Sequence, residues 1–458
     1  MAWKDEIQHV VVLMLENQSF DRLLGFLRLD DPSQRIDGLT GGETIPADLG
    51  NPARVVRLER GTQPALYVTD PTPGHQFEDI AVQVFGQARV PDPPTPTMNG
   101  FVDNYARQEG ADHKPIGAER AAAGLACLDP SLVPVISTLA KSFVVCDRWF
   151  SSAPGPTWPN RFFVHAATSN GYIDSPTDLQ ALAGFLTTRF RLRTIYESLA
   201  AAGRTWAIYY GDHAQAFGIG TLHRYASDNF RRLDAFAAEV AAGTLPHYSF
   251  LEPPYMDNPG SPAGDQHPPH HLLEGERLIA WVYDTLRGNA AVWNKTLLVL
   301  LYDEHGGFFD HVPPPATVPP DEASAQGEKF KFDRLGVRVP ALLISPWVRK
   351  GRVDHRVYDH TSLLATVKGL FGLPAFLTKR DAQANPLDDA SFVPTPRALD
   401  DTPANLAALV PSHAPSPPSD KLSDLQQSLV ALSAVLGGAG AAGAPRPAVG
   451  GRGEIQSP

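Results

Sequence analysis

The sequence predicts an α/β fold built on a mostly parallel sheet. Short apolar runs recur along the chain, and helical patterns separate them. That alternation is the signature of βαβ units. Two of the runs end in paired polar residues, Glu16-Asn17 and Asp303-Glu304, where open α/β sheets place their ligands.

The elements follow in order. HVVVLML is apolar throughout its middle and reads as a strand buried on both faces, within 7–15. Further strands are expected at 143–145, 205–210, 296–302 and 341–345. Helical periodicity predicts helices over 186–202, 270–287 and 361–371. In the second of these, Leu272, Leu273, Glu276, Ile279, Ala280 and Tyr283 fall on one face. Between residues 30 and 140 the pattern weakens. Segments such as VPDPPTPT predict a loop-rich insertion over the C-terminal edge of the sheet. The main domain is expected over 1–398, and a C-terminal extension over 399–436. Leu422, Leu425, Leu429, Leu432 and Leu436 there recur at helical spacing, as in a helix packed back on the core. The Gly/Ala/Pro-rich residues 437–458 are expected to be a disordered tail.

Composition narrows the function. The 458-residue chain carries 39 Lys+Arg against 50 Asp+Glu, a net charge of −11. That balance argues against a nucleic-acid partner, which selects a basic surface. It argues equally against strong electrostatic adhesion to anionic bilayers. Two cysteines, Cys127 and Cys146, provide no disulfide framework and are expected to be reduced and buried. The start MAWKDEIQHV lacks the pattern of a secretory signal, and no apolar run is long enough to span a membrane. The expected location is cytoplasmic or peripheral to a membrane.

Four stretches carry chemistry. The first strand runs into ENQSFDRLLG, and LLYDEHGGFFDHV repeats the same grammar. Glu16, Asn17, Asp303 and Glu304 together offer hard oxygen donors suited to Mg²⁺, Mn²⁺ or Ca²⁺. The bland alternative is that they cap helices or pair with arginines. In SAPGPTWPNRFFVHAATSNG, Thr157 precedes Pro159, a natural first residue of a helix. A hydroxyl there faces unpaired N–H groups, either as an anion site or as a plain N-cap. In PAGDQHPPHH, prolines stiffen a loop carrying His267, His270 and His271, and PGHQF holds His75 in a similar turn. Histidines in rigid loops over a carboxylate-bearing edge are candidates for general acid or phosphate binder.

These four motifs, in this order, resemble the phosphoesterase family of bacterial phospholipases C and related acid phosphatases. In appearance they are most like the plant-type non-specific phospholipases C. The resemblance runs from His9 to about Leu373, with a further likeness in the C-terminal helix. It implies an alkaline-phosphatase-like fold, a central mixed sheet sandwiched by helices with catalytic groups at strand ends. It implies Thr157 as nucleophile, Glu16, Asn17, Asp303 and Glu304 as ligands of a divalent metal ion, and His75 and His267 beside the phosphate. His305 and His311 lie in the last motif with their roles open. Gln18 stands where the family usually has Arg.

The expected activity is phospholipase C hydrolysis of glycerophospholipids through a phosphothreonine, giving diacylglycerol and a phosphorylated head group. Thr157 attacks phosphorus, His267 protonates the leaving alkoxide and His75 holds the phosphate. The expected partners are a phospholipid or a small phosphoester, with transient contact to a membrane surface. The alternatives are an acid phosphatase of the same fold and a catalytically silent lipid- or ion-binding module. Phe77, Phe85, Phe101, Tyr105 and Trp158 are candidates for an apolar mouth, with core packing the preferred reading.

Overall fold

A computed structural model describes residues 2–62, 66–67, 71–110, 112–175, 192–258, 261–413 and 422–438. The expected start of the helix over 186–202 and the expected tail beyond Gly438 lie outside them.

Among the described residues, eight strands form one sheet. They are β1 (His9–Leu15), β2 (Val144–Cys146), β3 (Trp206–Tyr210), β4 (Phe230–Arg232), β5 (Tyr248–Glu252), β6 (Thr296–Tyr302), β7 (Ala341–Ile344) and β8 (Arg352–Asp354). Their order across the sheet is β8-β2-β7-β6-β1-β5-β3-β4. Only β7 runs against its neighbours, β6 and β2; the other pairings are parallel. The sheet is therefore mixed. The two strands with the longest apolar runs, β1 and β6, lie side by side at its centre, buried on both faces. Strands β4, β5 and β8 escape the sequence pattern, because FRR and RVD carry one apolar residue each and Ser249 interrupts YSFLE.

The β1–β6 register positions the site. His9 pairs with Thr296, and the pairing continues in step to Leu15 with Tyr302. The two strands end together, so Glu16 and Asp303 emerge as neighbours. Backbone hydrogen bonds continue the ladder past the strands, with Asp303 N–H donating to Leu15 O at 3.1 Å.

Helices cover the sheet. The site uses α1 (Thr157–Ala166), α2 (Leu272–Gly288), α3 (His360–Phe371) and α4 (Asp424–Gly438). Helix α1 starts two residues before the proline expected to open it, with Thr157 in its first turn. The segment between β1 and β2 carries the short helices Phe77–Phe85 and Phe101–Ala106 among its loops. It builds a second core in which Ile80, Val84 and Phe101 pack with Phe308 and Phe309. Leu425, Leu429 and Leu432 of α4 join the main core, while Leu422, ahead of the helix, stays exposed. Both cysteines are free and buried. No helix among the described residues is long and apolar enough to cross a membrane.

Candidate active site at the ends of the central strands

The polar residues after β1 and β6 are fully buried, and so is Thr157. Asn17 takes a left-handed backbone, φ 52°, which turns the chain sharply off the strand. Its N–H donates to Asp303 Oδ1 at 3.0 Å. The Thr157 hydroxyl lies 3.0 Å from Glu16 Oε2 and 3.2 Å from Asn17 Oδ1. It therefore faces acceptors across the site and caps no backbone N–H of its own helix, which sets the N-cap reading aside. The structure brings Glu16, Asn17, Asp303 and Thr157 into one cluster.

Glu304 points slightly aside. Its Oε2 accepts the Gly306 N–H at 2.7 Å and faces His305 Nδ1 at 3.2 Å. His305 spans from there to Gln83 Oε1, 2.9 Å from its Nε2, and ties the insertion to the strand end. Gly306 and Gly307 both have positive φ, and a side chain on either would strike backbone. The nearest atoms would be Asn17 O at 2.5 Å and Gly74 O at 2.4 Å. The glycine pair thus lets the loops bearing Asn17 and His75 close over the sheet edge.

His75 and His267 are buried with their rings 6.0 Å apart. Both belong to the site region, but each faces Asp424 of α4, a residue the sequence reading did not select. Burial opposes charge on His75, yet Asp424 and Glu304 outweigh it and lift the imidazole to about 10. The other histidines separate. His270 pairs with Asp265 at 2.6 Å. His271 caps α2 by accepting the Leu273 N–H at 3.2 Å. His311 lies in a distinct network, 2.6 Å from Asp21 and 3.3 Å from Asp37, beside the ion pairs of Arg338 with Asp21 and Asp310.

Three more residues complete the surroundings, and only contacts distant in sequence reveal them. Arg161, one turn beyond Thr157 on α1, pairs with Glu16 Oε1 at 2.5 Å and approaches Asp303 Oδ2 at 3.9 Å. Asp265 receives the Glu16 N–H on its main-chain oxygen and the His267 N–H on its carboxylate. His360, opening α3, holds the main chain of Asp303 at 2.6 Å. The prolines after Trp158 hint at a helix start, but nothing in the local sequence marks Arg161 as a partner of Glu16. Gln18 is buried, and its carboxamide donates to Gln266 O at 2.9 Å. All five aromatic residues considered for a mouth are buried. Trp158 donates its indole N–H to Ser428 of α4 at 2.8 Å.

Charge in this space is unbalanced. Glu16, Asp303, Glu304 and Asp265 are buried carboxyl groups, and Arg161 is the buried cation set between the first two. Burial pushes Glu16 well above the ordinary carboxylate range, Arg161 opposes the shift and Asp303 adds to it. Asp303 Oδ2 and Glu304 Oε1 have no hydrogen-bond donor among the described residues. Unpartnered carboxylate oxygens on Asp303 and Glu304 are donors of the kind a hard divalent cation takes.

A family model for the Phosphoesterase family matches residues 7–374. The chain belongs to that family. Family membership makes this phosphoesterase a phosphoric ester hydrolase. Its relatives include non-specific phospholipase C6 of Arabidopsis thaliana, 39% identical over 95% of this chain and 82% of the relative. Non-specific phospholipase C3 of the same plant is 37% identical over 94% of this chain and 83% of the relative. Among solved structures, a protein of the alkaline phosphatase superfamily from Vibrio parahaemolyticus aligns with TM-score 0.34 and 15% identity. That alignment covers 57% of this phosphoesterase and 65% of the Vibrio chain.

Proposed function

We propose that this phosphoesterase is a phospholipase C that cleaves glycerophospholipids at the glycerol side of the phosphate. The observation that carries the reading is the Thr157 hydroxyl, 3.0 Å from a buried carboxylate at the end of the central strand. The relatives' names supply the lipid substrate class.

Thr157 Oγ attacks phosphorus and passes its proton to Glu16 Oε2. Burial raises the proton affinity of Glu16 above that of an ordinary carboxylate, and that favours the transfer. The Oγ–P bond forms as the bond from phosphorus to the diacylglycerol oxygen breaks. His267 donates the proton that oxygen needs, and protonated His75 holds the phosphoryl oxygens. Water then cleaves the phosphothreonine and releases the phosphorylated head group. Glu16, Asn17, Asp303 and Glu304 are the residues to hold a divalent cation of the Mg²⁺, Mn²⁺ or Ca²⁺ class. Bound there, it would neutralise phosphoryl charge and lower the pKa of a coordinated hydroxyl. Arg161 fixes the carboxylates in place, and the Asp265 main-chain oxygen holds the backbone of Glu16.

The test compares product release from phosphatidylcholine vesicles and from p-nitrophenyl phosphate, for wild type and Thr157→Ala. Diacylglycerol release by the wild type, reduced roughly 10³-fold or more in the variant, is the expected result. Turnover of the monoester alone would make the protein a phosphatase. Full activity in Thr157→Ala would remove the nucleophile assignment, and no turnover of either compound would leave a silent binding module.

A further inference from the structure

Two histidines of the site turn their Nε2 atoms to the same carboxylate. His75 Nδ1 is 3.1 Å from Pro73 O, and His267 Nδ1 is 2.5 Å from Pro268 O. Each main-chain oxygen fixes its ring, so that Nδ1 carries the proton shared with the chain and Nε2 faces inward. His75 Nε2 lies 3.1 Å from Asp424 Oδ2, and His267 Nε2 lies 3.7 Å from Asp424 Oδ1. The Gln76 carboxamide adds a longer contact to Oδ2 at 3.5 Å. Apart from Asp424, His267 Nε2 has no polar partner among the described residues, although its side chain is 1% exposed.

A carboxylate that serves to orient a histidine binds the nitrogen facing away from the substrate. Main-chain oxygens already fill that place in both rings. Asp424 sits instead on the nitrogens that would meet a phosphoryl oxygen. Its oxygens occupy a cradle of two imidazoles and a carboxamide, which is the donor set an anion selects.

We propose that Asp424 is a resident anion of the active site, occupying the phosphoryl-oxygen seat between His75 and His267, so that substrate phosphate binds by displacing it. This rests on the phosphoesterase reading of the site and deepens it. Asp424 then sets substrate affinity and favours strongly anionic phosphoryl groups over weak competitors.

The surroundings suit displacement of the side chain while the helix stays docked. Helix α4 is held by Gln426, whose carboxamide donates to Tyr255 O at 2.9 Å and lies 3.1 Å from His270 Nε2. Ser428 accepts from Trp158, the residue next to Thr157. Leu425 and Leu429 are buried beneath. The Asp424 side chain itself is 44% exposed and borders a cavity of about 350 Å³ lined by Gln76, Gln108 and Gln427. A rotamer change into that cavity clears the seat. The helix lends an acidic side chain to a site built from strand ends, loops and the starts of α1 and α3.

The probe is inorganic phosphate, bound to the full chain at one fixed Mg²⁺ concentration and followed by calorimetry. Asp424→Asn keeps the shape of the residue and removes its charge, and it leaves the helix cap on Ser423 untouched. The expected result is phosphate affinity raised by about tenfold or more, since charge-assisted contacts are released for the ligand. KM for p-nitrophenyl phosphate should fall in step, as should the inhibition constant of phosphate. Asp424→Ser serves as a second variant should the first fail to fold. Unchanged or weaker phosphate binding overturns the proposal, as does a drop in kcat with KM unchanged, the mark of an orienting carboxylate. Phosphate that binds neither wild type nor variant also overturns it. If phosphate binds and Asp424→Asn tightens it while no phosphoester is turned over, the seat stands and the hydrolase mechanism falls.

Discussion

Arg161 and Glu16 form a fully buried ion pair, 2.5 Å from Nη2 to Oε1, while the other carboxylate oxygen of Glu16 faces the Thr157 hydroxyl. The guanidinium also approaches Asp303 and donates to Met14 O at 3.2 Å. It is the positive counterpart of two strand-end carboxylates. Arg161→Gln leaves them buried and uncompensated, which should cost about 3–5 kcal/mol. Thermal melts of wild type and variant check this. A loss below about 1 kcal/mol would mean that the carboxylates are neutral in the folded protein.

Metal binding should register in stability before any assay of activity. A ligand that binds only the folded chain stabilises it by about 2.7 kcal/mol at a hundred times its Kd. Mg²⁺ or Mn²⁺ should therefore raise the melting temperature of the wild type, and EDTA should reverse it. Asp303→Asn removes one charged oxygen donor and should abolish most of the rise. An equal rise in that variant would place the cation elsewhere.

Gly306 offers a test of the loop geometry. It has φ +64°, and a Cβ there would stand 2.5 Å from Asn17 O and 2.8 Å from Asn17 Cβ. Gly306→Ala should cost roughly 1–3 kcal/mol in backbone strain. It should also displace the Asn17 carboxamide from Thr157, lowering kcat/KM well below the melting range. Melting curves together with rates at a temperature where both proteins are folded separate the two effects.

His311 makes stability depend on pH. Burial disfavours its charge, but hydrogen bonds to Asp21 and Asp37 prevail and raise its pKa from 6.5 to about 10. A group raised on folding stabilises fully below its unfolded pKa and loses that effect as pH rises through the folded one. The contribution should therefore be complete below pH 6.5 and gone above about 10. His311→Gln should be less stable than wild type by roughly 1.5–3 kcal/mol at pH 6, with the gap closing towards pH 10. A gap that stays constant with pH would show that the histidine is neutral in the folded state.

Much of the site was legible because chemistry and strand ends coincide. Glu16-Asn17 and Asp303-Glu304 stood out as polar pairs closing apolar runs, and the β1–β6 register makes them neighbours. Thr157 was visible within a motif, yet its role as cap or site residue was ambiguous. A hydroxyl before a helix start satisfies either description until its partner is known. The location of Glu16 Oε2 decided it, 141 positions away in sequence.

Other features left no local mark. Asp265, His360 and Asp424 look like ordinary loop, helix-start and helix-start residues. Their importance comes from long-range approach, as in the 349 positions between His75 and Asp424. The histidines in PAGDQHPPHH show the same limit. Three residues of one type in five positions take three different roles, because each ring is turned by a different partner.

The sequence by itself determined the α/β class, the central buried strands, the family and the polar residues that close those strands. These follow from local apolar patterning and from ordered motifs, which a linear reading contains. Tertiary structure alone decided which strand runs antiparallel, the partnership of Arg161 with Glu16, and the presence of Asp424 between His75 and His267. Strand order and the docking of α4 depend on how distant surfaces pack, and packing is a property of the folded chain as a whole.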